Sequence, residues 1–330
     1  MVLAHASALS DHGHQVVIKT SLVKSVFPID TKIKIEEICS SGRLATLWAA
    51  VREWNPDAIY VADIVPLCFL LSLKNRGRVL FFAQGYDEFN CSFLPGRWLI
   101  RGLLVLLFRM WRTPVFAVSS HLARYLGDKY RADVCVVPNG IDPIFFTTPR
   151  QHGLYRPLDD GNRIILLHTR FDHAKGFDTA LAVLRLLVQD STHSIEIWTV
   201  GEDVTSKLDF LFHRHYGYVP TETMAKLMSS ADVFFYPSRY EGFALAVLEA
   251  FARRCPVVTT CAVYFAQHEE NALVADVDET EHLAAHLKRL LSDVPLRERL
   301  AENGARFAAD FTLSGCTDQF VRAFGARFGS

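Results

Sequence analysis

The sequence predicts an α/β protein of about two domains built on parallel sheets. Three observations carry this. The chain has 330 residues, and at roughly 100–200 residues per domain that length gives about two domains. Half of its residues are hydrophobic and 22% are charged, enough for two sizeable cores and too apolar for extensive disorder. Short apolar runs bounded by turn residues alternate with helical patterns along most of the length, the mark of βα repeats around a parallel sheet.

The composition also narrows the function. A net charge of −1 provides no electrostatic footprint for nucleic acid. The seven cysteines, at 39, 68, 91, 135, 255, 261 and 316, form no Cys-x-x-Cys pair. Most sit in apolar runs, as buried free thiols of a reducing compartment do. The opening residues, with His5 interrupting them, do not read as a secretory signal, and no apolar run is long enough to span a bilayer. A cytoplasmic location is expected.

The chain opens on a helix with Leu3, Ala6 and Leu9 on one face, closed by Asp11-His12-Gly13. A strand over 14–20 follows, then Lys32–Glu36 alternates like a half-buried strand. A helix is expected over 44–54, a strand over 58–62 and a helix over 67–73. The strand over 78–83 runs into Gln84-Gly-Tyr-Asp87. The carboxyl end of a parallel strand is where α/β sheets bind ligands, though a polar loop is an equally simple reading. Residues 95–113 are the most apolar stretch. At 100° per residue, Arg97, Arg101, Arg109 and Arg112 fall within a sector of about 120°. The segment reads either as an interfacial helix with its arginines at lipid head groups or as a core helix with one wet stripe. A strand over 115–118 meets Ser119-Ser120, a good helix start. A strand over 134–137 then ends in Pro138-Asn-Gly-Ile-Asp142, with the turn pair Asn139-Gly140. Residues 145–161 have the composition of a linker.

A second sheet begins with the strand at 163–168. It is followed by Arg170, Lys175-Gly176 and a helix over 177–188. A cationic fork and a point charge at the mouth of a strand suit a diphosphate. The strand 195–200 comes next, then a loop with His213, His215 and Gly217. Two histidines without a third ligand make a weak metal signal. Thr221 is expected to cap a helix running to Ser229. The apolar strand 233–236 leads into Pro237-Ser-Arg-Tyr-Glu-Gly-Phe-Ala-Leu245, a helix carrying Glu249, and a further strand at 256–259. Seven residues separate Glu241 from Glu249, a span of roughly 9–12 Å along a helix. Gly242 permits close backbone approach, and the free N–H groups of residues 242–245 at the helix start suit a diphosphate. Read without a ligand, the stretch is a parallel sheet with one buried and one exposed glutamate. Asp276 and Asp278 read as a turn and cap, and helices are expected over 279–291, 296–307 and 313–328.

The stretch from Pro237 to Glu249 resembles the donor-binding signature of retaining glycosyltransferases of the GT-B fold, family 4. Arg170 with Lys175-Gly176 matches the "R....KG" element of that family, and Pro138–Asp142 matches its approach to the interdomain linker. The resemblance covers almost the whole chain. It is strongest over 134–142, 170–176 and 217–260. It implies a GT-B architecture of two Rossmann-like domains facing a cleft: residues 1–148 on the acceptor side, 149–312 binding the nucleotide sugar, and a helix over 313–330 crossing back to the first domain. It also implies roles. Glu241 orients the donor sugar, and Arg170 and Lys175 stabilise the departing diphosphate. Glu249 holds the ribose, and the backbone at Gly242, Phe243, Ala244 and Leu245 holds the phosphates. Gly217 and Tyr218 lie near the base, and Asn139 lies beside the donor. Gln84, Tyr86 and Asp87 are acceptor-side candidates.

The sequence departs from the family pattern in four places. The usual first strand and glycine-rich loop are missing ahead of the first helix, so an N-terminal sheet would have an edge to expose or re-cover. The position near Gln84 often holds histidine in relatives. Arg254 stands where glycine is usual, and 260–265 lacks the usual glycine pair. The function expected from the resemblance is transfer of a hexose or deoxyhexose, with retention, from a nucleotide-diphosphate sugar to a glycan or lipid-linked acceptor, in surface polysaccharide or glycoconjugate synthesis. No metal and no cofactor is expected. Peripheral contact with the inner face of the membrane would run through residues 97–112. The alternatives are a non-catalytic binding or scaffold protein of the same fold, a truncated inactive fragment, and a sugar-nucleotide epimerase of related fold.

Overall fold

The structure is a computed structural model that describes residues 2–20, 32–37, 47, 49, 51, 52, 54–89, 94–149, 162–189 and 194–329. The expected helix over 44–54 lies largely outside these residues. So do linker residues 150–161, Cys39 and Cys91. The chain divides into two compact units, residues 1–140 with 313–330, and residues 141–312.

In the first unit a helix over Val2–Asp11 ends at Gly13, whose φ of +88° makes the left-handed turn. Strands β1 (Val17–Thr20) and β2 (Lys34–Glu37) pair in parallel as a sheet of their own. The second sheet has the order β3-β4-β5-β6, all parallel, with β3 at Tyr60–Ala62, β4 at Val79–Ala83, β5 at Val115–Ala117 and β6 at Val134–Val136. Every residue of β4 is buried, as expected for a central strand covered on both faces. Among the described residues the strand β3 has one strand neighbour, β4, and its Val61 is 43% exposed. Ser119 caps the helix Ser120–Tyr130 by accepting from the Leu122 N–H at 3.1 Å. The C-terminal helix, Leu313–Phe328, packs on the first helix through a stack of His5 on Phe320 with ring centroids 4.3 Å apart.

The apolar helix begins at Leu94 and changes at Val105–Met110 to a π-helical turn. That turn shifts the angular phase, and the four arginines do not form one wet stripe. Arg97 donates to the Glu88 carbonyl at 3.2 Å, and Arg101 pairs with the Glu88 carboxylate. Burial alone would raise Glu88. The hydrogen bonds from Lys129 and Arg101 outweigh it and hold this buried carboxyl below the usual range. Leu94, Trp98, Leu99 and Met110 lie outward, each more than 60% exposed. No helix among the described residues is long and apolar enough to cross a membrane.

The second unit has a six-stranded parallel sheet of order β12-β11-β10-β7-β8-β9. Its strands are β7 (Arg163–Thr169), β8 (Ile195–Gly201), β9 (His213–His215), β10 (Val233–Tyr236), β11 (Val257–Thr260) and β12 (Leu273–Ala275). The strand order reverses between β7 and β10, the topological switch point where open α/β sheets bind ligands. The core packs Ile165, Leu167 and Phe235 of the sheet against Val183, Leu187, Leu283 and Leu287 of the helices Phe177–Gln189 and Thr280–Ser292. Two local expectations change. His213–His215 is an edge strand rather than loop, because the β8 backbone and the Thr199 hydroxyl pair with it. Thr221 begins its helix without capping it, since Pro220 occupies the cap position. Arg254 has a φ of +55°, which accounts for the glycine usual there in the resembled family.

His5 gives the first unit a pH dependence. Both ring nitrogens are buried without partners among the described residues, and burial lowers its pKa to about 4. The unfolded chain takes up this proton near 6.5, whereas the fold refuses it until about 4. Stability is therefore complete above pH 6.5 and falls as pH drops toward 4, by up to roughly 3 kcal/mol. Unfolding of wild type and His5→Phe across pH 7 to 4 should show the variant gaining relative to wild type as pH falls. A constant difference across that range would refute this account.

Candidate functional site

The loops after β7 and β10 meet at the switch point. Gly176, with φ of +62°, lies so close to the Pro237 carbonyl that a Cβ would stand 2.0 Å from its oxygen. A side chain there would force the two loops apart. The Ala174 carbonyl accepts from the Arg239 N–H at 2.7 Å and from the Ser238 hydroxyl at 2.8 Å. Arg239 spends its guanidinium on Asp178, Asp278, Thr179 and the His173 carbonyl. The two clamped loops place Lys175 Nζ 2.7 Å from Glu241 Oε1. Tyr236 and Ser238 donate to the same oxygen at 2.7 and 2.5 Å. The Glu241 Oε2 atom accepts no hydrogen bond among the described residues.

Arg170 is exposed beside this cluster and makes no ion pair among the described residues. Its charge reaches His168, on the last turn of β7. Burial, then Arg170 and Lys175, lower the His168 pKa to about 4, so its imidazole is neutral at pH 7. The backbone of Gly242, Phe243, Ala244 and Leu245 leads into the helix Leu245–Ala252. None of those four N–H groups donates to a protein acceptor among the described residues. The Phe243 ring packs on Phe265 and Phe311, so this residue offers its backbone alone. Ala244 caps the helix in the left-handed region, φ +53°.

Glu249 lies partly buried on that helix, and no hydrogen bond reaches its carboxyl group among the described residues. Burial first, then the negative charge of Asp142, push its pKa up to about 8. Gly217 sits at the end of β9 with φ of +65°, its carbonyl taken by the Gly201 N–H at 2.8 Å, and Tyr218 beyond it is 77% exposed.

The remaining candidates lie in the first unit. Asn139 and Gln84, at the ends of β6 and β4, meet at 3.4 Å, and Asn139 Oδ1 is buried without a partner. Tyr86 stands edge-on to Tyr125, and burial raises its hydroxyl to about 12. Burial, with the neighbouring Asp63 adding to it, pushes Asp87 up to about 7. Within the second unit the structure thus gathers Arg170, Lys175, Glu241 and residues 242–245. Within the first it gathers Gln84 and Asn139. Sequence reasoning missed Tyr236, Ser238, Arg239 and His168. The available signal for Tyr236 was a hydroxyl closing an otherwise apolar buried strand, since such a group must find a partner.

The raised Glu249 carboxyl sets a second pH dependence. The unfolded chain loses this proton near 4.3, whereas the fold keeps it until about 8. Stability is complete below the lower value and falls as pH rises through about 8, by up to roughly 5 kcal/mol. Glu249→Gln should therefore match wild type in thermal unfolding at pH 4.5 and exceed it at pH 8.5. Equal shifts at both would overturn the assignment.

Two family profiles match the chain. Residues 156–307 match Glycosyl transferases group 1, and residues 1–145 match Glycosyltransferase Family 4. The chain is 37% identical over 112 residues to O-antigen chain mannosyltransferase B of Escherichia coli, covering 34% of this chain and 29% of that protein. It is 31% identical over 235 residues to D-inositol 3-phosphate glycosyltransferase of Stackebrandtia nassauensis, covering 63% and 52%. The chain thus spans about half the length of these relatives or less. The crystal structure of WaaG, a glycosyltransferase involved in lipopolysaccharide biosynthesis, superposes with a TM-score of 0.78 at 18% identity over 100% of this chain and 95% of that one. Anabaena HepE in complex with UDP-glucose superposes with a TM-score of 0.76 at 15% identity over 98% and 94%. These likenesses identify the fold as GT-B.

Proposed function

The chain belongs to glycosyltransferase family 4, and on that premise we propose that it moves a hexose or deoxyhexose from a nucleotide-diphosphate sugar to a glycan or lipid-linked acceptor. The product keeps the donor's anomeric configuration, and the pathway is surface polysaccharide or glycoconjugate synthesis. The observation that carries this reading is the cluster at the switch point. There, Arg170, unpaired among the described residues, and the Lys175–Glu241 pair stand in the same loops as the N–H groups of residues 242–245, which meet no acceptor among those residues.

The chemistry follows from charge. The bond between the anomeric carbon and the phosphate oxygen breaks, and negative charge grows on the departing diphosphate. Arg170, Lys175 and the helix-start N–H groups stabilise that charge where it develops. These groups supply the neutralisation that a divalent metal would otherwise bring, so the proposal assigns no metal and no cofactor. Glu241 orients the sugar through Oε2. Glu249, protonated at pH 7, donates to one ribose oxygen and accepts from another hydroxyl. The acceptor oxygen attacks from the face the diphosphate leaves, and its proton passes to the departing phosphate oxygen. Gln84, Tyr86 and Asp87 belong to acceptor binding, where a carboxyl shifted to about 7 can hold a hydroxyl in either protonation state.

The acceptor side also supports a location. The outward Leu94, Trp98, Leu99 and Met110 form an apolar face with Arg109 and Arg112 exposed at its end. Such a face binds a lipid interface, and its cations favour anionic head groups. We therefore place the protein in the cytoplasm, peripheral at the inner face of the membrane.

Two measurements test this reading. Thermal unfolding with a panel of UDP, GDP, dTDP and ADP should show stabilisation by one of them. At ligand a hundredfold above Kd the gain is about 2.7 kcal/mol, and Lys175→Ala should remove most of it. No stabilisation by any of the four, or binding without transfer from the matching nucleotide sugar, would favour a non-catalytic protein. Separately, sedimentation with vesicles of anionic phospholipid should pull down the wild type, and Trp98→Glu with Leu99→Glu should release it. Equal recovery of both would reject the membrane face.

A further inference from the structure

We propose that the Tyr236 hydroxyl is a positioning group that fixes the Glu241 carboxylate so that a single oxygen, Oε2, meets the donor sugar. This rests on the donor-site reading above. Tyr236 closes β10 and is 6% exposed. Its hydroxyl donates to Glu241 Oε1 at 2.7 Å and lies 3.2 Å from Lys175 Nζ. Three donors, Lys175, Tyr236 and Ser238, converge on this one oxygen.

The three are not equivalent. Lys175 is a point charge on a flexible stem, and a bound diphosphate attracts it away from the carboxylate. Ser238 has one proton, and the Ala174 carbonyl at 2.8 Å competes for it. Tyr236 has a single acceptor for its proton, the Glu241 oxygen. Its ring is held in the core, stacked on Phe234 with centroids 5.6 Å apart. Burial, then the Glu241 charge, push this phenol well above its ordinary value, so it stays a donor throughout the pH range of the fold. When Lys175 turns to the diphosphate, Tyr236 therefore keeps Glu241 from rotating.

Tyr236→Phe removes the hydroxyl and keeps the ring. Affinity for the nucleoside diphosphate alone should stay within about twofold of wild type, because that ligand does not touch Glu241. The added affinity of the nucleotide sugar over the nucleoside diphosphate should fall about tenfold, and kcat should fall by a similar factor, as expected for a lost hydrogen bond to a charged group. An unchanged ratio and unchanged kcat would overturn the proposal. So would equal weakening of both ligands, which would mark Tyr236 as a purely structural residue. If wild type bound no nucleotide at all, the donor-site reading itself would fail, and this inference would fall with it.

Discussion

The close approach of Gly176 to the Pro237 carbonyl is the constraint on which the rest of the second unit's site depends. A Cβ at that position would stand 2.0 Å from the carbonyl oxygen, so the two loops can meet only over a glycine, and one with φ of +62°. Once they meet, the backbone does most of the remaining work. The Ala174 carbonyl accepts from Arg239 and Ser238, and Arg239 ties the helix start at Asp178 to the turn at Asp278. The carboxylates beside Arg239 drive its pKa upward, so it is a fixed cation at every relevant pH. Lys175 is thereby carried on a rigid frame to an otherwise costly position, where its charge is largely out of water and paired with Glu241. A buried pair of this kind contributes little net stability, because desolvation offsets its attraction. A ligand that needs both charges at that place would account for the pair better than stability does.

The site's electrostatic design is selective neutralisation. His168 is kept neutral by burial and by the cations beside it, and Glu249 is kept neutral by burial and by Asp142. Without its shift Glu249 would be an anion at pH 7. What remains is Arg170, free among the described residues, the Lys175–Glu241 pair and the helix-start N–H groups. Cations and free helix-start N–H groups together suit an anion.

Legibility in the sequence followed the range of the interaction. Lys175-Gly176 and the Glu241–Glu249 stretch were readable because each is a local pattern with a chemical reason. The parallel sheet of the second unit was readable because its strands are short apolar runs buried on both faces. The arginine stripe over 97–112 was misjudged because a straight helix was assumed. The π-helical turn at Val105–Met110 and the buried Glu88, which draws in Arg101 and Lys129, are set by partners far along the chain. Tyr236, Ser238 and Arg239 were missed for the same reason. Their contacts at 174, 175 and 178 lie some sixty residues away in sequence, and the short-range bonds of Tyr236 and Ser238 to Glu241 follow no helical or strand period. The strand at His213–His215 depended on Thr199 and the backbone of β8, again a tertiary influence on a segment with no strand pattern of its own.

Six described non-glycine residues have left-handed backbone, and two of them, Ala244 and Arg254, flank the helix Leu245–Ala252. Ala244 and Arg254 both have φ in the left-handed region, which costs a residue with a Cβ roughly 1–2 kcal/mol. Arg254 has a local explanation: it ends the helix Leu245–Ala252 and pairs with Glu302. Ala244 has no such partner. It sits at the helix cap without a side chain able to bond the first turn, and only its carbonyl serves that turn, accepting from the Val247 N–H at 3.0 Å. Its effect is on direction: the left-handed residue turns the chain between Gly242 and Leu245 and leaves their N–H groups without protein acceptors. Left-handed backbone at a residue with a Cβ clusters at ligand-binding sites. An anion at this helix start would recover in hydrogen bonds what the turn at Ala244 costs in conformation.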